Sequence, residues 1–206
     1  MTICAERAAA LARSLRPTAG RWFLWGDDGG GWCRCPHCRG LSDSDQALLW
    51  EHSVLAGLRS VDPELTLAHL AYHNTLAAPT QVRPEPGIFL EYAPIHRTYD
   101  QPYAHQTGDA ADALEHLDAN LAVFDAATAQ VLEYWLDESR FSSWRRPAVA
   151  LPWRPDVMAA DLATYAARGI RHATSFAVWL DEAYRQAHGE PPVAEYGQLL
   201  AGSVTA

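Results

Sequence analysis

Arg21-Trp22-Phe23-Leu24-Trp25-Gly26-Asp27-Asp28-Gly29-Gly30-Gly31 decides the fold. Its first five residues read as a short buried strand, which runs straight into two carboxylates and a glycine loop. The same grammar recurs along the chain. Leu65–Tyr72 is a strand followed by His73-Asn74, and Gly87–Ala93 is a strand that carries Glu91 and opens onto a loop with His96, Arg97 and His105. Ala129–Leu136 ends at Asp137-Glu138, and His172–Leu180 ends at Asp181-Glu182. Helical periods separate most of these strands. Ile3–Leu15 keeps Ala8, Leu11, Ala12 and Leu15 on one face. Ser42-Asp43-Ser44-Asp45 has the form of a capping box and opens a helix with Leu48, Leu49, His52, Leu55, Ala56 and Leu58. Asp109–Ala127 and about Asp156–Ala167 are the later helices, a short strand is expected at Ala148–Leu151, and Glu190-Pro191-Pro192 reads as a Pro-rich tail. Only the link through Pro79, Pro84 and Pro86 lacks a helical pattern.

Strands alternating with helices imply mostly parallel pairing through crossover connections. A packing strand needs only to stop, yet each of these stops in polar residues, as the active-site face of a barrel does. The expectation is an α/β fold of the (β/α) TIM-barrel type, forming a single domain over residues 1–206 with its core at about 21–180. A closed eight-stranded barrel takes about 250 residues and rarely fewer than about 200, so an incomplete barrel of about five to six strands is expected. Its open sheet edges would call for a homo-oligomer or a partner chain.

Composition narrows the class. With 16 Lys+Arg against 25 Asp+Glu the net charge is −9, which argues against a nucleic-acid surface. No apolar run is long enough to span a bilayer, and the first residues lack the order of a signal peptide, so a cytoplasmic location and no membrane partner are expected. Eight Trp and eight Tyr suit sugar-binding surfaces at loop mouths as well as a core. Three of the four cysteines fall within Cys33-Arg34-Cys35-Pro36-His37-Cys38, a cluster fitted to metal or redox chemistry rather than to a disulfide framework.

The run from Trp25 through Asp27-Asp28-Gly29-Gly30-Gly31-Trp32 to Cys38 resembles the signature loop of a bacterial domain-of-unknown-function family. That family is related to glycoside-hydrolase TIM barrels of the α-glucuronidase and β-hexosaminidase kind. In it a strand ends in Asn-Asp or Asp-Asp, glycines follow, and Cys-x-Cys-x-x-Cys comes next. Ala71-Tyr72, Ala93-Pro94-Ile95-x-Arg97 and Glu133-Tyr134-Trp135 extend the likeness over roughly Arg21 to Trp179. The resemblance implies the C-terminal five or so strands of a barrel and a carbohydrate-related role, with a uronic acid or an amino sugar as the expected ligand class. It also implies that strands preceding Arg21 are absent.

Glycosidic cleavage uses a proton donor and a second carboxylate. Asp27 and Asp28 are the first candidates, although adjacent side chains point to opposite strand faces, and one of them alternatively caps the glycine loop. Glu91 and Glu133 are candidate partners, with Asp137 and Glu138 behind them, because a carboxylate within an apolar strand is costly unless it faces a cleft or a cation. The alternative for each is a salt bridge to Arg97 or Arg140. Trp25, Trp135 and Trp179 are candidate stacking surfaces. Tyr72, His73 and His96 are candidate hydroxyl-binding groups, and Arg97 a clamp for an acidic sugar, the last resting mainly on the resemblance. Cys33, Cys35 and Cys38, with His37, are candidate Zn²⁺ ligands, against a plain loop of thiols or a disulfide. Three functions stay open: a glycoside hydrolase, a non-catalytic carbohydrate-binding or truncated barrel module that needs a partner, and a cysteine-loop zinc protein without sugar chemistry.

Overall fold

The computed structural model describes residues 2–15, 17–28 and 30–204. In chain order the regular elements are α1 (Thr2–Ser14), β1 (Arg21–Trp22), α2 (Asp43–Arg59), β2 (Thr66–Ala71), β3 (Ile88–Tyr92), α3 (Asp112–Leu121), β4 (Gln130–Glu133), α4 (Pro155–Ala166), β5 (His172–Ser175), α5 (Glu182–His188) and α6 (Val193–Val204). The class is α/β, and the strand pairings within each unit described below are parallel. No helix among the described residues is long and apolar enough to cross a membrane.

Contacts divide the chain into two compact units, Met1–Tyr92 with His116–Ala129, and Ala93–Glu115 with Gln130–Ala206. In the first, β2 lies between β1 and β3, with Trp22 opposite Leu67 and Glu91 opposite Leu70. Leu67, Ala71, Leu90 and Tyr92 are fully buried. The apolar run Arg21–Trp25 pairs over two residues only, because Phe23 and Trp25 lie half exposed beyond the sheet. Helix α1 packs on α2 through backbone contact at Gly57, where an added Cβ would stand 2.1 Å from the Ala5 carbonyl oxygen. Any larger residue there would drive the two helices apart.

The N-terminus of α2 carries the expected capping box, in which the Ser42 hydroxyl accepts from Asp45 N–H and Asp45 Oδ2 accepts from Ser42 N–H. Asp45 also reaches across to the Pro-containing link, and its Oδ1 accepts the N–H groups of Thr80, Gln81 and Val82 at 2.8–3.0 Å. One buried carboxylate thus caps a helix and shapes a loop that has no helix of its own. The inward face of α2 is rotated from the expected one, because Glu51 is buried while His52 is only partly so. Glu51 meets the Nδ1 of buried His69 on β2 at 2.9 Å, and the imidazole stacks on Phe124.

In the second unit β4 and β5 pair from Gln130–His172 to Glu133–Ser175. The expected strands Ala129–Leu136 and His172–Leu180 are shorter. Beyond Glu133 the chain stays buried through Leu136 but turns, with Asp137 N–H donating to Tyr134 O, so burial outlasts pairing. The segment Ala148–Leu151 is irregular rather than a strand. The Pro-rich tail leads into helix α6, which the sequence reading missed, as it missed α5, capped by Asp181.

Burial pushes the Asp45 carboxyl upward, but the N–H groups of Val82 and Gln81 and the Ser42 hydroxyl outweigh it and hold the group well below the usual carboxylate range. A carboxyl depressed in the folded state contributes stability that is present above its unfolded pKa of about 4 and lost as pH falls through the folded value. Asp45→Ala should cost about 3 kcal/mol in urea unfolding at pH 7, and the loss should shrink as pH drops below about 4.

Candidate functional site

Within each unit, polar and aromatic groups gather just beyond the C-terminal ends of the strands. In the first unit, Trp25 follows β1 and is 41 % exposed. Its indole Nε1 donates to Oε2 of Glu91, a residue 2 % exposed on β3, at 2.8 Å. Arg21 lies over the Phe89 ring at 3.9 Å, and the charge of Glu91 raises its pKa against the larger lowering effect of burial. A buried carboxylate therefore fixes the plane of a half-exposed indole. Asp27 and Asp28 are both exposed, and the Asp27 carbonyl accepts Gly30 N–H at 3.3 Å in the turn that follows. Tyr72 is half-buried after β2, and His73 beside it is exposed with φ +50°.

The cysteine loop follows. The Sγ atoms of Cys33, Cys35 and Cys38 all lie within 4.8 Å of one another, and His37 is outside the group and exposed. All four cysteines are free thiols. A tight turn builds the cluster, with Cys38 N–H and Arg39 N–H both donating to Cys35 O. Cys38 N–H, the Cys33 side chain and His37 N–H favour the Cys35 thiolate and bring its pKa down to about 7. Cys38, facing the Cys35 and Cys33 sulfurs, is pushed up to about 11. A cation that takes thiolates would relieve that opposition, since zinc–sulfur bonds of about 2.3 Å fit sulfurs this close.

In the second unit the candidates Glu133, Arg97 and Trp135 come together, but away from solvent. Glu133 is 0 % exposed. Its Oε1 meets Arg97 Nη1 at 3.0 Å and accepts the Tyr165 hydroxyl, and its Oε2 accepts the Tyr99 hydroxyl at 2.8 Å. Arg97 also pairs with Asp161 on α4 at 2.7 Å and lies between the Tyr99 and Tyr103 rings. Trp135 Nε1 donates to Asp161 Oδ2 at 3.0 Å, and Tyr103 N–H to Asp161 Oδ1 at 2.7 Å. The salt-bridge alternative for Glu133 is the arrangement found here. Arg97 has both of its terminal nitrogens engaged inside the unit, and Trp135 is buried, so neither presents a face to a sugar.

Two carboxylates share one guanidinium. Burial lowers the Arg97 pKa, but Glu133, Tyr165 and Asp161 outweigh it and hold the charge on Arg97 above its usual range. Burial raises Asp161 to about 6, against the pull of Arg97. Tyr99 and Tyr165 are held far above the usual phenol range, first by burial and then by Glu133, so they remain donors. Sequence reading missed Asp161 and both tyrosines. Nothing in a helical Asp marks it as buried, whereas Glu133 in an apolar strand pointed to the need for partners.

Of the remaining candidates, His96 is exposed, and Asp137 and Glu138 are buried. Asp137 accepts the Ser139 hydroxyl, and Glu138 accepts Val149 N–H at 2.8 Å and closes a loop. Trp179 is half-buried with φ +62°; Ser143 and Trp144 also have positive φ, a conformation that costs about 1–3 kcal/mol for such residues. A cavity of about 300 Å³ opens at the other end of β4 and β5, between Gln130, Leu162, Ile170 and His172. That is the end which in α/β barrels serves stability.

Arg97→Met should cost about 3–5 kcal/mol in chemical denaturation by leaving two buried carboxylates without their cation. The Asp161 pKa is raised on folding, so its contribution should grow as pH falls from about 6 toward 4, and Asp161→Asn should remove that slope. Comparison of the chain with protein-family models, curated proteins and solved structures finds no match.

Proposed function

We propose that this chain acts on or binds carbohydrate through the loops that follow its parallel strands, as a protein of the (β/α) glycoside-hydrolase kind that its Trp25–Cys38 loop resembles. The observation that carries the reading is the Trp25–Glu91 pair, a half-exposed indole plane anchored at 2.8 Å by a buried carboxylate just past a strand end. An aromatic plane held rigid matches the C–H face of a sugar ring with little loss of freedom on binding. Asp28, exposed on the adjoining loop, is the acid or stabiliser, and Glu91 is the partner carboxylate. The enclosed Glu133 supports the unit instead. With aryl glycosides and aryl uronides, turnover should appear and Asp28→Asn should abolish it. Trp25→Ala should weaken sugar binding about tenfold by calorimetry. A folded protein that neither turns over nor binds any member of the panel defeats the proposal.

A second reading is favoured by the sulfur cluster, namely that Cys33, Cys35 and Cys38 hold Zn²⁺ and the protein has no sugar chemistry. The three thiolates would fill three positions of a tetrahedral site, with the fourth left to water or to another ligand. Bound there, the ion would pin the loop that runs on from Asp27 and Asp28, so the metal site is also compatible with the first reading. Elemental analysis should return about one zinc per chain, lost in Cys35→Ser. Zinc retained alongside a complete failure to bind sugars favours the second reading alone.

A further inference from the structure

Three of the four non-glycine residues with positive φ among those described are Ser143, Trp144 and Trp179. All three lie in loops that follow β4 and β5 in the second unit. Bulky residues avoid this conformation, and two tryptophans adopting it call for a reason beyond chain reversal, which glycine would serve without strain. The exposure of Trp144 supplies one. Its N–H is tied to Ser139 O at 2.7 Å, while its side chain stands 64 % exposed, the most exposed of the large aromatic residues. The backbone is fixed and the indole is presented.

Two residues on, Arg146 is stacked over the Trp179 ring at 5.0 Å and hydrogen-bonded through Nη2 to Asp181 Oδ2 at 2.6 Å. Asp181 is itself held by Tyr184 N–H as the cap of α5. The guanidinium is therefore locked in plane between a ring and a capped carboxylate. Its other N–H donors meet no acceptor among the described contacts, and its side chain is about half exposed.

We infer that Trp144, Arg146, Trp179 and Asp181 form a sugar subsite in the second unit that takes a neutral ring of an oligosaccharide. The inference rests on the carbohydrate reading above and adds to it a place and a class of ligand. The ring stacks its C–H face on Trp144, and vicinal hydroxyls accept from Arg146 and donate to Asp181. The ligand is neutral because the charge of Arg146 is already balanced by Asp181. A uronate would have to displace that carboxylate. This part of the site binds and positions, and no bond is made or broken there.

The test is calorimetric titration of the full chain with cellotetraose, xylotetraose, chitotetraose and tetragalacturonate. At least one neutral tetrasaccharide should bind. For that ligand Trp144→Ala should raise Kd about tenfold and Arg146→Ala about fivefold, while Trp144→Phe, which keeps a ring, should stay within about threefold. Thermal unfolding of each variant checks that the fold is retained, which the exposure of Trp144 favours. If Trp25→Ala weakens binding while Trp144→Ala and Arg146→Ala leave Kd within about twofold, the subsite is refuted and the strand-end reading stands. Tighter binding of tetragalacturonate than of every neutral sugar, dependent on Trp144, overturns the neutral assignment. If no tetrasaccharide binds while an aryl glycoside is bound or turned over, the subsite alone fails; if neither set of sugars is bound, both readings fail.

Discussion

The second unit is organised by the need to neutralise Glu133. A carboxylate without exposed surface, on a strand buried on both faces, is tolerable only with a cation and a full set of donors. Arg97 and the hydroxyls of Tyr99 and Tyr165 provide them. Two partners come from the 93–107 loop and one from α4, so satisfying one side chain fixes both segments against β4. A loop that long, with only a 3-10 turn at Tyr103–His105, would otherwise lose its place, since irregular backbone must satisfy its polar groups within the protein or leave it. Asp161 tightens the arrangement and also limits it. It adds a second negative charge to a single guanidinium, and burial first, with Glu133 adding to it, raises its carboxyl to about 6 against the pull of Arg97.

Glu91 poses the same problem and is solved differently. It too lies buried on a strand, but one of its donors is the Trp25 indole, which is half in solvent. The difference between a sealed and an accessible partner separates the two carboxylates structurally. Glu133 is wrapped by side chains that stay inside, and replacing any of them spends stability. Glu91 is hydrogen-bonded to a ring that stands half in solvent.

The order of β1–β5 and α1–α4 was legible in the sequence because period-2 and period-3.6 patterns reflect burial, which the fold must satisfy, whereas α5 and α6 were not. Strand ends were less legible. Tyr134, Trp135 and Leu136 are as buried as β4 itself, so an apolar run overstates the length over which the backbone is paired. The capping box at Ser42 was readable as a local pattern, but its reach to Thr80, Gln81 and Val82 was not, because that contact depends on the tertiary fold. The same holds for Glu51 with His69, where a one-position turn of the helix face exchanges a glutamate for a histidine. At the candidate site, residue types at strand ends singled out Trp25 and Glu91, which the structure joins by a hydrogen bond, and the cysteines, which it clusters. Sequence could not tell which carboxylates would be sealed, since that depends on Tyr165 and Asp161, both on a helix more than twenty residues further along.

Seen this way, the cysteine loop and the strained tryptophans have a common logic. Both follow strand ends, where chain leaves the core and no sheet partner dictates its path. A segment there keeps one conformation only if something local holds it. At Cys33–Cys38 the holding element is a turn whose N–H groups converge on one sulfur, leaving three thiols close enough to share a cation. At Ser143–Trp144 it is the Ser139 carbonyl, which keeps the chain in a conformation it would not choose unaided. Rigidity built into exposed loops contributes little to a core. It would lower the entropy lost if a ligand bound there, a property the sealed ion cluster, closed to solvent, does not share.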